Sequence, residues 1–298
     1  MRLTEYLLSS GIDYKELSEE QNSKLKETLI EMYQNIFSAC EKENLICMLG
    51  GGSCLGAIRH KGFIPWDDDI DLNMFRSDYE KLPAIMEKYY PGKYSFNGPF
   101  LSDDVIQNFY KIEKVGTTLV TVYDIIGGKN RIAIDIFPIE DVPNFKVLRI
   151  IEGLILNLIF YIAICVKLRK RKSYFDELIL QSKDGSRKYR RRKLIGLLFS
   201  FISYSKWYRI GDKIASKKFL NSKFVTVPSG RRHFFGELQK RNSFIPVKEV
   251  SFEGLKAYVP NDYDTYLRSL YGDDYMVIPP VDKQEKDYVI DIDFGEKK

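Results

Sequence analysis

The sequence predicts an α+β fold, and three observations support that class. The 298-residue chain is 44% hydrophobic and 29% charged, which suits a packed core and excludes both disorder and an ordinary multi-span membrane protein. Ser18–Gln21 forms a helix capping box before a run of apolar residues at helical spacing. Asp69–Met74 instead alternates polar and apolar residues, which is typical of a strand.

The first third of the chain alternates helices and strands. The capped helix extends to about Asn44, and a buried strand, Leu45–Leu49, then enters a glycine turn. A short helix at Cys54–His60 and a loop at Lys61–Trp66 precede the strand that starts at Asp69. The further expected elements are a second capping box at Ser77–Glu80, strands at Val105–Val115, Thr118–Tyr123 and Arg131–Phe137, and a turn at Ile126–Asn130.

Residues 147–222 differ in character and are predicted to form a helical insertion. Ile150–Val166 is almost wholly apolar, and basic runs lie at Lys167–Lys172 and Arg187–Lys193. The apolar run falls slightly short of a bilayer span and contains an acid, so helices lying in the membrane interface fit better, with Trp207 at the boundary. A buried helical hairpin and a solvated basic surface are the alternatives. Nucleic acid is not expected, because stacking aromatics do not interleave with the basic runs.

Residues 1–146 and 223–298 are predicted to form one catalytic domain around this insertion. Ser251–Pro260 resembles a strand hairpin and Tyr263–Tyr271 a helix, and their many aromatic residues suggest packing against the first domain. The four separate cysteines and the acidic N-terminal sequence, without a signal-peptide apolar region, favour a cytoplasmic protein.

Two sequence features point to phosphate chemistry with a metal. Gly51, Gly52 and Ser53 precede a helix, so the backbone there can approach phosphate oxygens. Asp69 and Asp71 leave the same face of a strand and can share divalent cations.

Two more positions complete the predicted site. Asp135 lies in an apolar strand and would be the third carboxylate if that strand is a neighbour. Oxygen ligands favour Mg²⁺ or Mn²⁺, while Asp67 or Asp68 would orient ligands or accept a proton. Arg59 and Lys111 are candidates for neutralising phosphate oxygens, or are ordinary surface charges.

Three blocks of the sequence closely resemble the LicD family, which also contains the fukutin-type transferases. They are GGSCLGAIRHKGFIPWDDDIDLNMFRSDYEKL, RIAIDIFPIEDVP and FEGLKAYVPNDYDTYLRSLYGDDYMVIPP, in the family's order. The family is similar to the nucleotidyltransferase superfamily, so the resemblance implies a mixed sheet flanked by helices. The superfamily's GS turn, acid-apolar-acid strand and third acid fall on Gly52-Ser53, Asp69-Ile70-Asp71 and Asp135. The chain departs from its relatives at Lys283–Tyr288, where an arginine and a histidine pair are common.

The resemblance implies transfer of a phospho-alcohol group such as phosphocholine from a CDP-activated donor to a glycan hydroxyl. Teichoic acid, lipopolysaccharide or capsule units, often lipid-linked, are the implied acceptors. With the insertion on an anionic membrane surface, the protein would be peripheral at the inner face of the cell membrane. The alternatives are a phosphoglycerol or ribitol-phosphate transferase, an NTP-using nucleotidyltransferase, and a non-enzymatic scaffold.

Overall fold

A mixed seven-stranded sheet is the centre of the molecule. In this computed structural model, the described residues are 16–128, 130–173, 176, 180, 183–219, 221–281, 284 and 288–295. The strands are β1 (Cys47–Leu49), β2 (Asp71–Phe75), β3 (Tyr94–Asn97), β4 (Tyr110–Lys114), β5 (Thr118–Thr121), β6 (Ala133–Val142), β7 (Phe224–Thr226), β8 (Gln239–Lys240), β9 (Lys248–Phe252), β10 (Leu255–Val259) and β11 (Val289–Asp293). The main sheet has the order β1-β2-β6-β4-β3, with β7 on β6 and β8 on β7.

Helices cover this sheet and confirm the predicted α+β class. They are α1 (Glu19–Lys42), α2 (Gly51–Arg59), α3 (Arg76–Tyr79), α4 (Leu82–Tyr89), α5 (Lys146–Lys170), α6 (Lys183–Leu198), α7 (Tyr204–Ala215), α8 (His233–Gly236) and α9 (Tyr263–Tyr271), with a 3₁₀ turn at Arg241–Ser243. The capping box of α1 forms as predicted, because Ser18 accepts from the Gln21 N–H and the Gln21 side chain accepts from the Ser18 N–H.

Strand β6 organises the sheet and is longer than the sequence predicts. Its middle part, Asp135–Ile139, pairs in parallel with β2, while its other edge pairs first with β4 and then with β7. The Asp135 N–H donates to Ile70 on the β2 side, so Pro138, three residues on, directs its missing N–H to the opposite edge. That edge is the gap between β4 and β7, so the proline does not end the strand.

The C-terminal part packs against the first domain, as predicted. The hairpin of β9 and β10 lies beside β1, and Phe252, Val259 and Leu267 are buried in the same core as α1. The Tyr33 hydroxyl of α1 donates to the Lys256 carbonyl. Residues of the C-terminal part can therefore contribute to a site formed by the first domain.

The predicted insertion consists of three helices, α5, α6 and α7, in the described residues. They surround a second hydrophobic core that includes Leu156, Phe160 and Tyr208. Val105 and Phe234, from outside the insertion, complete that core. Helix α5 is long and apolar enough to cross a membrane by length and composition alone. Trp207 packs against Phe199 and Phe201, and its place at a membrane boundary stays a prediction.

A buried ion network joins this helical segment to the sheet. Arg76, directly after β2, pairs with Glu140 of β6 and with Asp212 of α7, the latter at 2.9 Å. All three residues are buried. The network therefore fixes one end of β2 and β6 relative to α7.

Two local predictions are wrong. Ser77 does not cap a helix; α3 begins at Arg76 without a side-chain cap, and Asp78 instead accepts from the Ile46 N–H. The glycine turn is the first turn of α2, which begins at Gly51 rather than Cys54. All four cysteines, Cys40, Cys47, Cys54 and Cys165, are free and buried.

Candidate active site

A cavity of about 710 Å³ opens at the start of β2 and the N-terminus of α2. Its wall combines carboxylates, basic groups and aromatic rings, a mixture that suits a polar, charged ligand. Seven of the ten predicted site residues line it, namely Gly51, Gly52, Arg59, Asp67, Asp68, Asp69 and Asp71.

The two glycines allow carboxylates to pack against the N-terminus of α2. Gly51 has φ of 44°, and a Cβ added there would lie 2.7 Å from Asp71 Oδ2. A Cβ on Gly52 would lie 3.0 Å from Asp67 Oδ2. The free N–H groups at a helix N-terminus favour anions. The same surface therefore suits carboxylates and phosphate oxygens.

Ser53 lies beneath the cavity and does not line it. It is 5% exposed, and its Oγ accepts a 2.9 Å hydrogen bond from the Asp71 N–H. Its hydroxyl therefore holds the start of β2 in place, whereas the sequence predicts a contact with donor phosphate.

Asp71, Asp135 and Lys111 form one row across three adjacent strands. Asp71 pairs in register with Asp135, and Asp135 with Lys111, so the three side chains leave the same face of the sheet. The Lys111 ammonium lies 3.4 Å from Asp135 Oδ1. Neither Asp135 nor Lys111 lines the cavity.

The predicted three-carboxylate cluster is not formed by these side chains as they stand. Among the described residues, no three His, Cys, Asp or Glu side chains are arranged to hold one metal ion. Asp135 instead has the Lys111 ammonium beside it, which neutralises its charge.

The remaining carboxylates repel one another strongly. Burial, followed by the charges of Asp135 and Asp67, raises the pKa of Asp71 to about 8. Burial together with Asp71 and Asp67 raises the pKa of Asp69 well above its ordinary value, although part of its surface is open to the cavity. Crowded oxygen donors of one charge fit a hard divalent cation, so the residues present suit Mg²⁺ or Mn²⁺.

The cavity also contains residues that the sequence does not single out. The further lining residues that carry polar or aromatic groups include Trp66, Asn73, Arg231, His233, Glu237, Tyr266, Tyr271 and Tyr275. The Tyr266 hydroxyl accepts from the Gly51 N–H and from Asn73, each at 3.0 Å, and so connects α9 to the glycine turn. A polar turn followed by Arg231, Arg232 and His233 is the signal that could have indicated this wall.

Two aromatic rings of the wall already face cations. The Arg231 guanidinium lies 5.5 Å from the Tyr271 ring centroid, and the Arg59 guanidinium 5.9 Å from that of Trp66. Arg59 also donates to the carbonyls of Tyr275 and Val277. These rings therefore present faces that attract positive charge.

Comparison with known proteins places this site in a family. Residues 44–149 match the family described as LicD/FKTN/FKRP, nucleotidyltransferase domain. Residues 44–149 of the chain are therefore similar to the LicD family, and the predicted resemblance is confirmed. The matched span contains β1, α2, β2 and all of β6, and hence the residues predicted to hold metal and phosphate.

Individual relatives extend the similarity beyond this domain. The chain is 28% identical to the lipopolysaccharide cholinephosphotransferase LicD of Haemophilus influenzae over 252 residues, which is 84% of this chain and 89% of that protein. It is 32% identical to an uncharacterised protein of Rickettsia prowazekii over 90 residues, covering 28% of this chain and 34% of that protein.

Proposed function

We propose that this transferase of the LicD type moves a phosphocholine-type group from a CDP-activated donor to a glycan hydroxyl. The observation that carries the proposal is the cavity that Asp69 and Asp71 line together with Gly51 and Gly52 at the N-terminus of α2. The name of the Haemophilus relative supports phosphocholine as the group and lipopolysaccharide as the class of acceptor. Teichoic acid or capsule units, lipid-linked or not, are acceptors of the same chemistry.

The carboxylates and basic groups have distinct proposed roles. Asp69 and Asp71 would hold Mg²⁺ or Mn²⁺, and Asp135, the in-register neighbour of Asp71, is the proposed third ligand. Such an ion supplies positive charge that neutralises phosphate oxygens during transfer. The backbone at Gly52 would contact donor phosphate, whereas the predicted Gly51 N–H contact is replaced by its hydrogen bond to the Tyr266 hydroxyl. Arg59 would balance the charge of the phosphate.

The reaction itself is an in-line displacement at the phosphorus atom that carries the alcohol. The acceptor oxygen forms a new bond to phosphorus, the bond from phosphorus to the CMP oxygen breaks, and CMP leaves. Asp67 or Asp68 would take the proton of the acceptor hydroxyl. Lys111 neutralises Asp135, and Ser53 positions Asp71 through its backbone N–H.

The aromatic wall favours choline over uncharged alcohols. Quaternary ammonium groups bind to the faces of tryptophan and tyrosine rings. Trp66 and Tyr271 line the cavity, and one face of each ring is near a guanidinium group. Choline would bind to the face that the guanidinium leaves open. Glycerol or ribitol phosphate, without a positive charge, gains nothing from such faces.

The donor is tested by ligand-dependent stabilisation. Purified protein with Mg²⁺ is melted in the presence of CDP-choline, CDP-glycerol, CDP-ribitol or CTP, since a ligand that binds only the folded state raises Tm. We expect the largest shift with CDP-choline, followed by phosphocholine transfer to a glycan acceptor. A shift with CTP alone, together with incorporation of label from CTP, would favour the nucleotidyltransferase alternative.

The first mutational prediction concerns Asp71. Asp71→Asn should reduce transfer by about a hundredfold or more, because it removes charge that the transition state requires. The same variant should keep its fold, since it relieves repulsion from Asp67 and Asp135. Asp103→Asn, at an exposed position outside the cavity lining, is the control. Wild-type turnover in Asp71→Asn would contradict the assigned role.

A further inference from the structure

The outward side of α5 is an unusually apolar surface. Only 28% of its most apolar stretch is buried within the protein. We call its exposed apolar residues the outer apolar face, which consists of Val147, Leu148, Ile150, Ile151, Leu154, Ile155, Leu158 and Tyr161. Leu154 and Leu158 are each 59% exposed. A contiguous exposed apolar surface of this kind marks a site of contact with another molecule or a membrane.

Basic residues border this face. Lys167–Lys172 continues the chain directly beyond the apolar stretch of α5, and Arg187–Lys193 lies in α6. The two helices approach closely at Gly196, where an added Cβ would lie 2.2 Å from the Cys165 carbonyl oxygen. Basic residues from separate parts of the sequence therefore flank one apolar surface. This combination is complementary to an anionic lipid bilayer.

The contacts of α5 with the catalytic domain decide how it can meet a bilayer. Near the start of the helix, Arg149 donates to the Pro143 carbonyl and lies over the Phe224 ring. Near its end, Lys167 donates to the Ile106 carbonyl. These contacts are eighteen residues apart, or about 27 Å of helix.

The middle of α5 is held in the same way. A Cβ on Gly153 would overlap the ring of Phe234 at 2.4 Å, so the helix backbone rests directly on α8. A hydrocarbon core is about 30 Å thick. If α5 crossed a bilayer, the loop at Ile106, strand β7 and Phe234 would enter the hydrocarbon with it. Polar backbone and charged groups of the catalytic domain exclude that arrangement.

We propose that α5 lies flat on an anionic membrane surface, with its outer apolar face in the head-group region and the flanking basic runs on acidic lipids. This inference concerns the docking of the protein and does not depend on the proposed transfer reaction. It requires no bilayer-spanning segment among the described residues. It also holds the catalytic domain next to the membrane, with α5 between the two.

Vesicle binding by the full chain tests the proposal. Protein is mixed with vesicles of phosphatidylcholine alone or with added phosphatidylglycerol, and the bound fraction is measured by co-flotation. We expect binding to the mixed vesicles, and a clear loss when ionic strength rises from about 0.1 M to about 1 M.

Variants identify the surface responsible. Leu154→Gln with Leu158→Gln should reduce partitioning by about tenfold or more, because apolar area no longer enters the interface. Arg187→Gln with Arg191→Gln should reduce binding to acidic vesicles and remove much of its salt dependence. Leu101→Gln with Val115→Gln removes two exposed apolar side chains elsewhere and should leave binding unchanged.

Two results would overturn the proposal. One is wild-type vesicle binding by the Leu154/Leu158 variant. The other is a dimer of the wild-type chain in sedimentation analysis that this variant dissociates, with no vesicle binding by either protein; a second copy would then cover the face.

Discussion

The immediate neighbours of Asp71 act on its carboxylate in opposite ways. Its carboxylate packs against Gly51 at the N-terminus of α2, and its backbone N–H is held by Ser53. Burial and the carboxylates of Asp135 and Asp67 nevertheless raise its pKa to about 8. The N-terminus of α2 therefore favours the ionised carboxylate of Asp71, whereas burial and the neighbouring acids disfavour it. A bound cation would offset this repulsion.

Glu237 gives a pH-dependent prediction at the same scale. It is 3% exposed, accepts from the Arg232 N–H, and burial raises its pKa to about 7. Because the pKa of Glu237 is higher in the folded state than in the unfolded state, protonation of Glu237 stabilises the folded state. That stability is present below about pH 4.5 and is lost as pH rises through about 7.

Glu237→Gln should therefore flatten the pH dependence of unfolding. Above pH 7 it should exceed the wild type by up to about 3 kcal/mol, since one pKa unit corresponds to about 1.4 kcal/mol. Urea denaturation between about pH 4 and 8 measures this. The exposed Glu249→Gln is the control, and a parallel pH dependence in wild type and Glu237→Gln would refute the account.

The sequence predicts the cavity residues that lie close together in the chain, and it misses those that folding brings in from elsewhere. Asp67, Asp69 and Asp71 are adjacent in sequence, so their pattern alone indicates a site. Arg231 and Glu237 enter the cavity through the pairing of β7 with β6, which follows the whole helical insertion. No local sequence pattern indicates that residues so far along the chain belong to the same cavity.

At the scale of elements, helix α2 shows how backbone conformation determines the shape of the cavity. Its first residue, Gly51, has a left-handed φ of 44° and also leaves room for Asp71. Only glycine adopts this conformation readily. Position 51 therefore requires glycine for two reasons: its positive φ and the space that Asp71 occupies.

Gly51→Ala separates these requirements when compared with Gly92→Ala. Gly92 also has a positive φ, 68°, but a Cβ there would meet nothing within 4 Å. Each variant should lose about 1–2 kcal/mol of stability through backbone strain. Only Gly51→Ala should also lose metal-dependent stabilisation and transfer, because its Cβ displaces Asp71. Equal activity of the two variants would show that the contact with Asp71 is unimportant.

The errors in element prediction have physical causes. The Ser77–Glu80 pattern satisfies the rule for a capping box, but Asp78 hydrogen-bonds the Ile46 backbone instead. The strand predicted at Arg131–Phe137 continues to Val142, because the missing N–H of Pro138 faces the gap between β4 and β7. In both cases a tertiary contact decides what the local sequence leaves open.

At the scale of the whole molecule, the two hydrophobic cores are connected by the buried network of Arg76, Glu140 and Asp212. Arg76 and Glu140 follow the segments of β2 and β6 that carry Asp71 and Asp135, whereas Asp212 belongs to α7. A movement of α7 would therefore also displace β2 and β6, the strands that carry the site. The sequence predicts both the domain around the sheet and the helical insertion. It does not predict the ion network that joins them, because the three residues of the network are far apart in the chain.

Removal of Arg76 should have a large effect on stability. Arg76→Met leaves two buried carboxylates without their cation, which costs about 3–5 kcal/mol. Urea unfolding of the full chain measures the loss, and Asp212→Asn in the Arg76→Met background should restore part of it. Arg268→Met, which breaks an exposed pair with Asp264, should change stability far less. A similarly small loss in Arg76→Met would mean that the network contributes little to the free energy of unfolding.

The burial of every native thiol gives this chain a practical advantage for spectroscopy. Burial raises the pKa of Cys54, and a hydrogen bond with Cys40 together with burial raises the pKa of Cys47. Both thiols therefore stay protonated and unreactive toward maleimides. A cysteine placed at an exposed position such as Leu158 would then be the preferred point of attachment for a fluorescent dye, without removal of the native residues. The emission colour of that dye would report how deeply α5 sits in a lipid layer.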